Sequence, residues 1–158
     1  MGVAPLASLI GLRVLDDTGA GRTSAVISAI DFAVANRTRF NIRVINLSLG
    51  HPILAPAADD PLVQAVEAAV RAGLVVVVSA GNIGMNPVTG QVGYAGITSP
   101  GNAPSALSVG ATDTAQTVTR ADDAVAPFSS RGPSWYDGFV KPDRKSTRLN
   151  SSHVKRSR

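Results

Sequence analysis

The chain contains no cysteine, which excludes disulfides, thiolate metal sites and a cysteine nucleophile and leaves the redox compartment open. Aromatic residues are scarce, at 4%, so Ala, Val, Ile and Leu must fill the interior. No apolar run approaches the roughly 20 residues of a membrane-spanning helix, so no membrane partner is expected. The opening MGVAPLASLIGL has no basic stretch ahead of its apolar residues and does not read as a secretory signal. Charge is also sparse: 16% of residues are charged against 44% hydrophobic, the balance of a globular chain rather than a disordered one. What is present in quantity is Gly, 15 residues, and Pro, 10, which implies many tight connections between short elements. A length of 158 residues suits one domain.

The net charge of +4 is unevenly placed. Six Lys or Arg and a single Asp lie in residues 143–158, which leaves nine basic against ten acidic residues in the body before them. The basic excess that would otherwise invite a nucleic-acid reading therefore belongs to the tail alone, and no nucleic-acid partner is expected.

Hydrophobic periodicity divides the body into alternating strand-like and helix-like segments. Residues 7–15 form an apolar run predicted as a first strand, closed by the turn-forming Asp16-Asp17-Thr18-Gly19. A helix is predicted over 23–36, with Val26, Ile27, Ile30, Ala33 and Val34 on its buried side. A short strand over 44–48 follows, and then a loop over 51–60. Pro61 suits the first turn of a second helix ending at Ala72, with Asp60 before it as N-cap. Gly73 stops that helix, and a strand over 74–79 contains four consecutive Val, as a strand covered on both faces would. Residues 81–104, rich in Gly, Asn and Pro, read as a long surface loop. Two further strands are predicted over 106–111 and 126–132. The alternation specifies an α/β class, a three-layer αβα domain with a mainly parallel sheet.

In such folds ligands gather at the carboxyl ends of the strands. Three candidates stand there: Gly19, Ala20 and Gly21; Ser48, Leu49 and Gly50; and Ser79, Ala80 and Gly81 followed by Asn82. Each by itself is an ordinary strand-to-helix turn. The GAGRTS stretch lacks the lysine and the spacing of a phosphate loop.

Taken in order, VINLSLG, AVRAGLVVVVSAGN, SPGNAPSALSVGATD and FSSRGP resemble the landmarks of the subtilisin-like serine protease family. The stretch from Gly2 through the first predicted helix resembles the segment after the family's catalytic histidine. The resemblance covers residues 2–142 and marks residues 1–142 as a partial subtilisin-like domain. It implies that the fold is incomplete and that the function is serine-type hydrolysis of peptide bonds through an acyl-enzyme. Asn82 would be the side-chain donor of the oxyanion hole. Gly19, Ala20, Gly21, Ser48, Leu49 and Gly50 would flank an extended peptide substrate, small residues letting its backbone approach. Ser79, Ala80 and Gly81 would line the pocket for the residue before the scissile bond, with the loop around Thr98 to Gly101 near its base. Ser99-Pro100 matches a position that is commonly a cis peptide.

The same resemblance places the catalytic Asp and the HGTHVAG-type histidine motif ahead of Met1, and the GTSMAxP-type nucleophile motif after FSSRGP, where no such motif occurs. This chain alone is therefore expected to be inactive. Asp17, His51 and Ser130 mimic a triad in order but fall in a turn, a loop and a structural motif. A peptide-binding pseudoprotease is the alternative reading. No cofactor or catalytic metal is expected. Structural calcium occurs in the family but is not readable here. The resemblance is compatible with secretion of a full-length member, and the oligomeric state is open. The tail over 143–158 departs from the family pattern, and residues 143–153 resemble a translated frame of a sequencing adapter. It is expected to be non-native and disordered.

Overall fold

The computed structural model describes residues 4–147. Its order is α1 (Thr23–Ala35), β1 (Val44–Leu47), α2 (Pro61–Arg71), β2 (Val75–Ser79), β3 (Leu107–Asp113), β4 (Ala124–Val125) and β5 (Arg144–Thr147). Strands β1, β2 and β3 are parallel neighbours, with Leu47 opposite Val78 and Ser79 opposite Val109. β4 runs antiparallel to the end of β3, and β5 runs parallel to it.

Two helix signals hold closely. In α1, Val26, Ile30 and Ala33 are buried, while Ile27 and Val34 pack against the core from its margin. In α2, Asp60 adopts extended backbone and its Oδ1 accepts from Leu62 N at 2.8 Å and Val63 N at 3.4 Å, satisfying donors that a helix start leaves unpaired. Leu62, Val63, Val66 and Ala69 then join Val76 and Val78 of β2 within one core cluster that also takes in Val26 and Ile30. Both helices thus cover one face of the sheet, two layers of an incomplete αβα arrangement. The other face is open: Val44, Val75 and Leu107 are exposed. The Val run of β2 is accordingly buried only at alternate positions and not on both faces.

Three expectations are corrected. Residues 7–15 form no strand. Leu9, Ile10 and Leu12 within them are exposed, and only Leu15 makes a bridge, to Gly21. An apolar run becomes a strand only beside a partner, and no described strand adjoins it. Residues 97–103 are not a surface loop but are buried throughout, because they wedge between the end of β2 and the start of α2. Residues 126–132 are a turn rather than a strand, pairing being confined to β4. The tail also differs from expectation where it is described: β5 adds to β3 from Val109↔Arg144 to Thr112↔Thr147. A ladder requires backbone donors and acceptors and few particular side chains, so a sequence without strand patterning can complete one. Residues 148–158 lie outside the described residues.

Candidate active site

The parallel register of β1 and β2 brings their carboxyl ends side by side, so Ser48, Leu49 and Gly50 leave the sheet next to Ser79, Ala80 and Gly81. The Ser79 hydroxyl donates to Leu49 O at 3.3 Å and closes the gap between them. Residues 97–101 supply a third side. Thr98 N donates to Ala80 O at 3.1 Å, and Ser99 and His51 exchange backbone bonds of 2.9 and 3.0 Å. The contact is close enough to require glycine: a Cβ on Gly50 would lie 2.8 Å from Thr98 Oγ1, and one on Gly101 would lie 2.7 Å from Ser79 O. The Ser99-Pro100 peptide is cis.

This junction is anchored to α2. The second carboxylate oxygen of the buried Asp60 accepts from the Ser99 hydroxyl at 2.7 Å, so the residue that caps the helix also holds the loop. The sequence predicts only the cap for Asp60. Its partner Ser99 lies 39 positions away, beyond any local signal.

Asn82 follows Gly81 at the mouth of the junction. Its side chain is exposed and makes no hydrogen bond to any described residue, so the amide is available to a ligand. Gly19, Ala20 and Gly21 are elsewhere in bonding terms. They complete a turn in which Asp16 Oδ1 accepts from Thr18 Oγ1, Thr18 N and Ala20 N at 2.7, 2.8 and 3.0 Å. The Thr18 hydroxyl, followed by the backbone N–H groups of Ala20 and Thr18, holds the Asp16 carboxyl below the usual carboxylate range. No hydrogen bond joins this turn to Ser48, Leu49 or Gly50. Two of the three small-residue candidates are therefore joined beside Asn82, and the third makes no hydrogen bond to them.

The three members of the triad mimic make no hydrogen bond to one another. Asp17 pairs with Arg13, the His51 ring bonds Pro52 O, and Ser130 bonds Ile83 N. Among the described residues no three His, Asp or Glu side chains gather as a group that could hold a metal ion.

The arrangement brings together two short parallel segment ends, lined by small residues, and one exposed amide. The family model described as the Subtilase family matches residues 1–143. The serine protease AprX of Bacillus subtilis is 40% identical over 147 residues, 90% of this chain and 31% of that protein. Subtilisin E, also of Bacillus subtilis, is 39% identical over 84% of this chain and 29% of its own length. Among solved structures, a cold adapted subtilisin-like serine proteinase superposes with a TM-score of 0.66 at 31% identity, covering 92% of this chain and 43% of that one. The chain thus spans about a third of the length of these curated relatives. By the extent of the family match and the agreement of fold, the chain belongs to the subtilase family of serine proteases.

Proposed function

We propose that this chain is a partial catalytic domain of a subtilisin-like serine endopeptidase, acting on polypeptides and contributing the oxyanion donor Asn82 and the walls that hold the substrate. The observation that carries the reading is the convergence of Ser48, Leu49 and Gly50 with Ser79, Ala80, Gly81 and Asn82 at adjacent strand ends, closed by Thr98 and Ser99. In acyl transfer a serine Oγ adds to the scissile carbonyl carbon, its proton passes to a histidine, and the carbonyl π electrons move onto oxygen. The Asn82 amide would donate to that oxygen once it carries charge. Nucleophile, base and orienting carboxylate are contributed by other segments of the full-length enzyme, so this chain alone turns over no substrate.

The test is Asn82→Ala in the full-length enzyme, with kcat and KM measured on a peptide ester. Because the donor acts where charge develops, kcat falls while KM changes little. The size, about 10²–10³-fold, is the known effect of removing this donor in a subtilisin and is taken over from that relative. A kcat within about threefold of wild type would return Asn82 to an ordinary turn residue. Tight peptide binding without any turnover by the full-length wild type would favour a peptide-binding module instead.

A further inference from the structure

Ser130 belongs to FSSRGP, and its hydroxyl is unsuited to nucleophilic attack: the residue is 1% exposed and its Oγ already accepts a backbone bond. What it bonds is more informative. Ser130 N donates to Gly81 O at 3.1 Å, and Ile83 N donates to Ser130 Oγ at 3.0 Å. One buried residue thus holds the peptide groups on both sides of Asn82. The approach is so close that a Cβ on Gly81 would lie 2.8 Å from Ser130 Oγ. Neighbouring residues extend the support, with Gly84 N donating to Phe128 O at 2.9 Å and Arg131 Nη1 donating to Gly84 O at 3.1 Å. Among the described residues, Asn82 has no hydrogen-bond partner to aim its amide. Its direction must therefore be set through the backbone that carries it.

We propose that Ser130 is a positioning residue for the reaction, fixing the direction of the Asn82 amide by clamping Gly81 and Ile83. This rests on the reading of Asn82 as the oxyanion donor. A preorganised donor is effective because it need not reorient as charge develops. A loosened clamp therefore lowers kcat without weakening ground-state binding. Ser129 provides a matched control. It is equally buried, and its Oγ accepts a backbone bond of 2.9 Å, but from Ala111 N on β3 rather than beside Asn82.

The experiment compares Ser130→Ala and Ser129→Ala in the full-length enzyme, each with and without Asn82→Ala, reading kcat and KM on a peptide ester alongside Tm. Ser130→Ala is expected to lower kcat roughly 5- to 20-fold with KM within about twofold. Ser129→Ala is expected to lower Tm while leaving kcat within about twofold. In the Asn82→Ala background, Ser130→Ala should cost no further kcat, since the donor it aims is gone. Should Ser130→Ala not fold, Ser130→Cys, nearly isosteric with a poor acceptor, carries the same readout. An unchanged kcat in the Ser130 variant, or an equal loss with and without Asn82, overturns the proposal while leaving the donor role intact. An unchanged kcat in Asn82→Ala overturns the donor role itself.

Discussion

Gly81 adopts φ +110° and is enclosed by Ser130 Oγ and the Thr98 side chain, each of which would lie under 3 Å from an added Cβ. Gly73 also has positive φ, +89°, but open space around it. The pair separates two costs of adding a methyl group. Gly73→Ala meets backbone strain alone and should destabilise by about 1–2 kcal/mol. Gly81→Ala adds crowding against two buried side chains and should cost about 2–4 kcal/mol. Urea unfolding of both variants measures the difference, and equal losses would show that the junction relaxes freely around Gly81. The requirement for glycine at both places is suggested by sequence, since one ends a helix and the other follows a strand. Which of them is also crowded depends on residues 98 and 130, far along the chain.

At the level of elements, the start of α2 and the buried loop are one unit through Asp60. Asp60→Ala removes the helix cap, about 1 kcal/mol, and leaves the buried Ser99 hydroxyl without its acceptor, about 1–3 kcal/mol more. Asp60→Asn keeps an oxygen for the cap and a polar group facing Ser99, so it should recover about half of that loss. Equal loss in both variants by urea unfolding would show that the charge rather than the bonding pattern matters. The α2 boundaries and cap were legible because Asp-Pro at a helix start followed by periodic apolar residues is a local signal. The burial of residues 97–103 was not, because Gly, Ser, Thr and Asn look alike in sequence whether they face water or lie inside against distant partners, as Ser99 does against Asp60.

Over the whole molecule, Lys141 ties the segment that leads into β5 to the residues just ahead of β3. Its Nζ, 4% exposed, donates to Asp143 Oδ2 at 2.7 Å and to Ala106 O at 3.1 Å, while Asp143 Oδ2 accepts from Ser108 N at 2.9 Å. Burial acts to raise the Asp143 carboxyl, but the Lys141 hydrogen bond and charge together with Ser108 N–H outweigh it, and the group titrates below its usual range. A lowered folded value means stability that is present above the unfolded carboxylate range, about pH 4, and lost as pH falls through the folded value. Asp143→Asn should therefore melt below wild type at neutral pH, with the gap closing in acid. Melting curves of both proteins from pH 7 downward check this, and a gap constant with pH would assign the effect to packing rather than charge.

The sequence by itself determined the α/β class, both helices with their buried faces, the three central strands and the turn residues at their ends, because each depends on periodicity or on a neighbour a few positions away. The order of its motifs also carried the family. Tertiary structure decided which of these segments meet. It joined Ser48, Leu49 and Gly50 to Ser79, Ala80 and Gly81, bound Gly19, Ala20 and Gly21 into the turn built on Asp16, and withheld strand pairing from residues 7–15 while granting it to Arg144–Thr147. It also set Ser130 against Ile83, beside Asn82, across 47 positions of chain. The physical reason is that hydrogen-bonding capacity is written in every residue, whereas the choice of partner exists only once the chain has folded back upon itself.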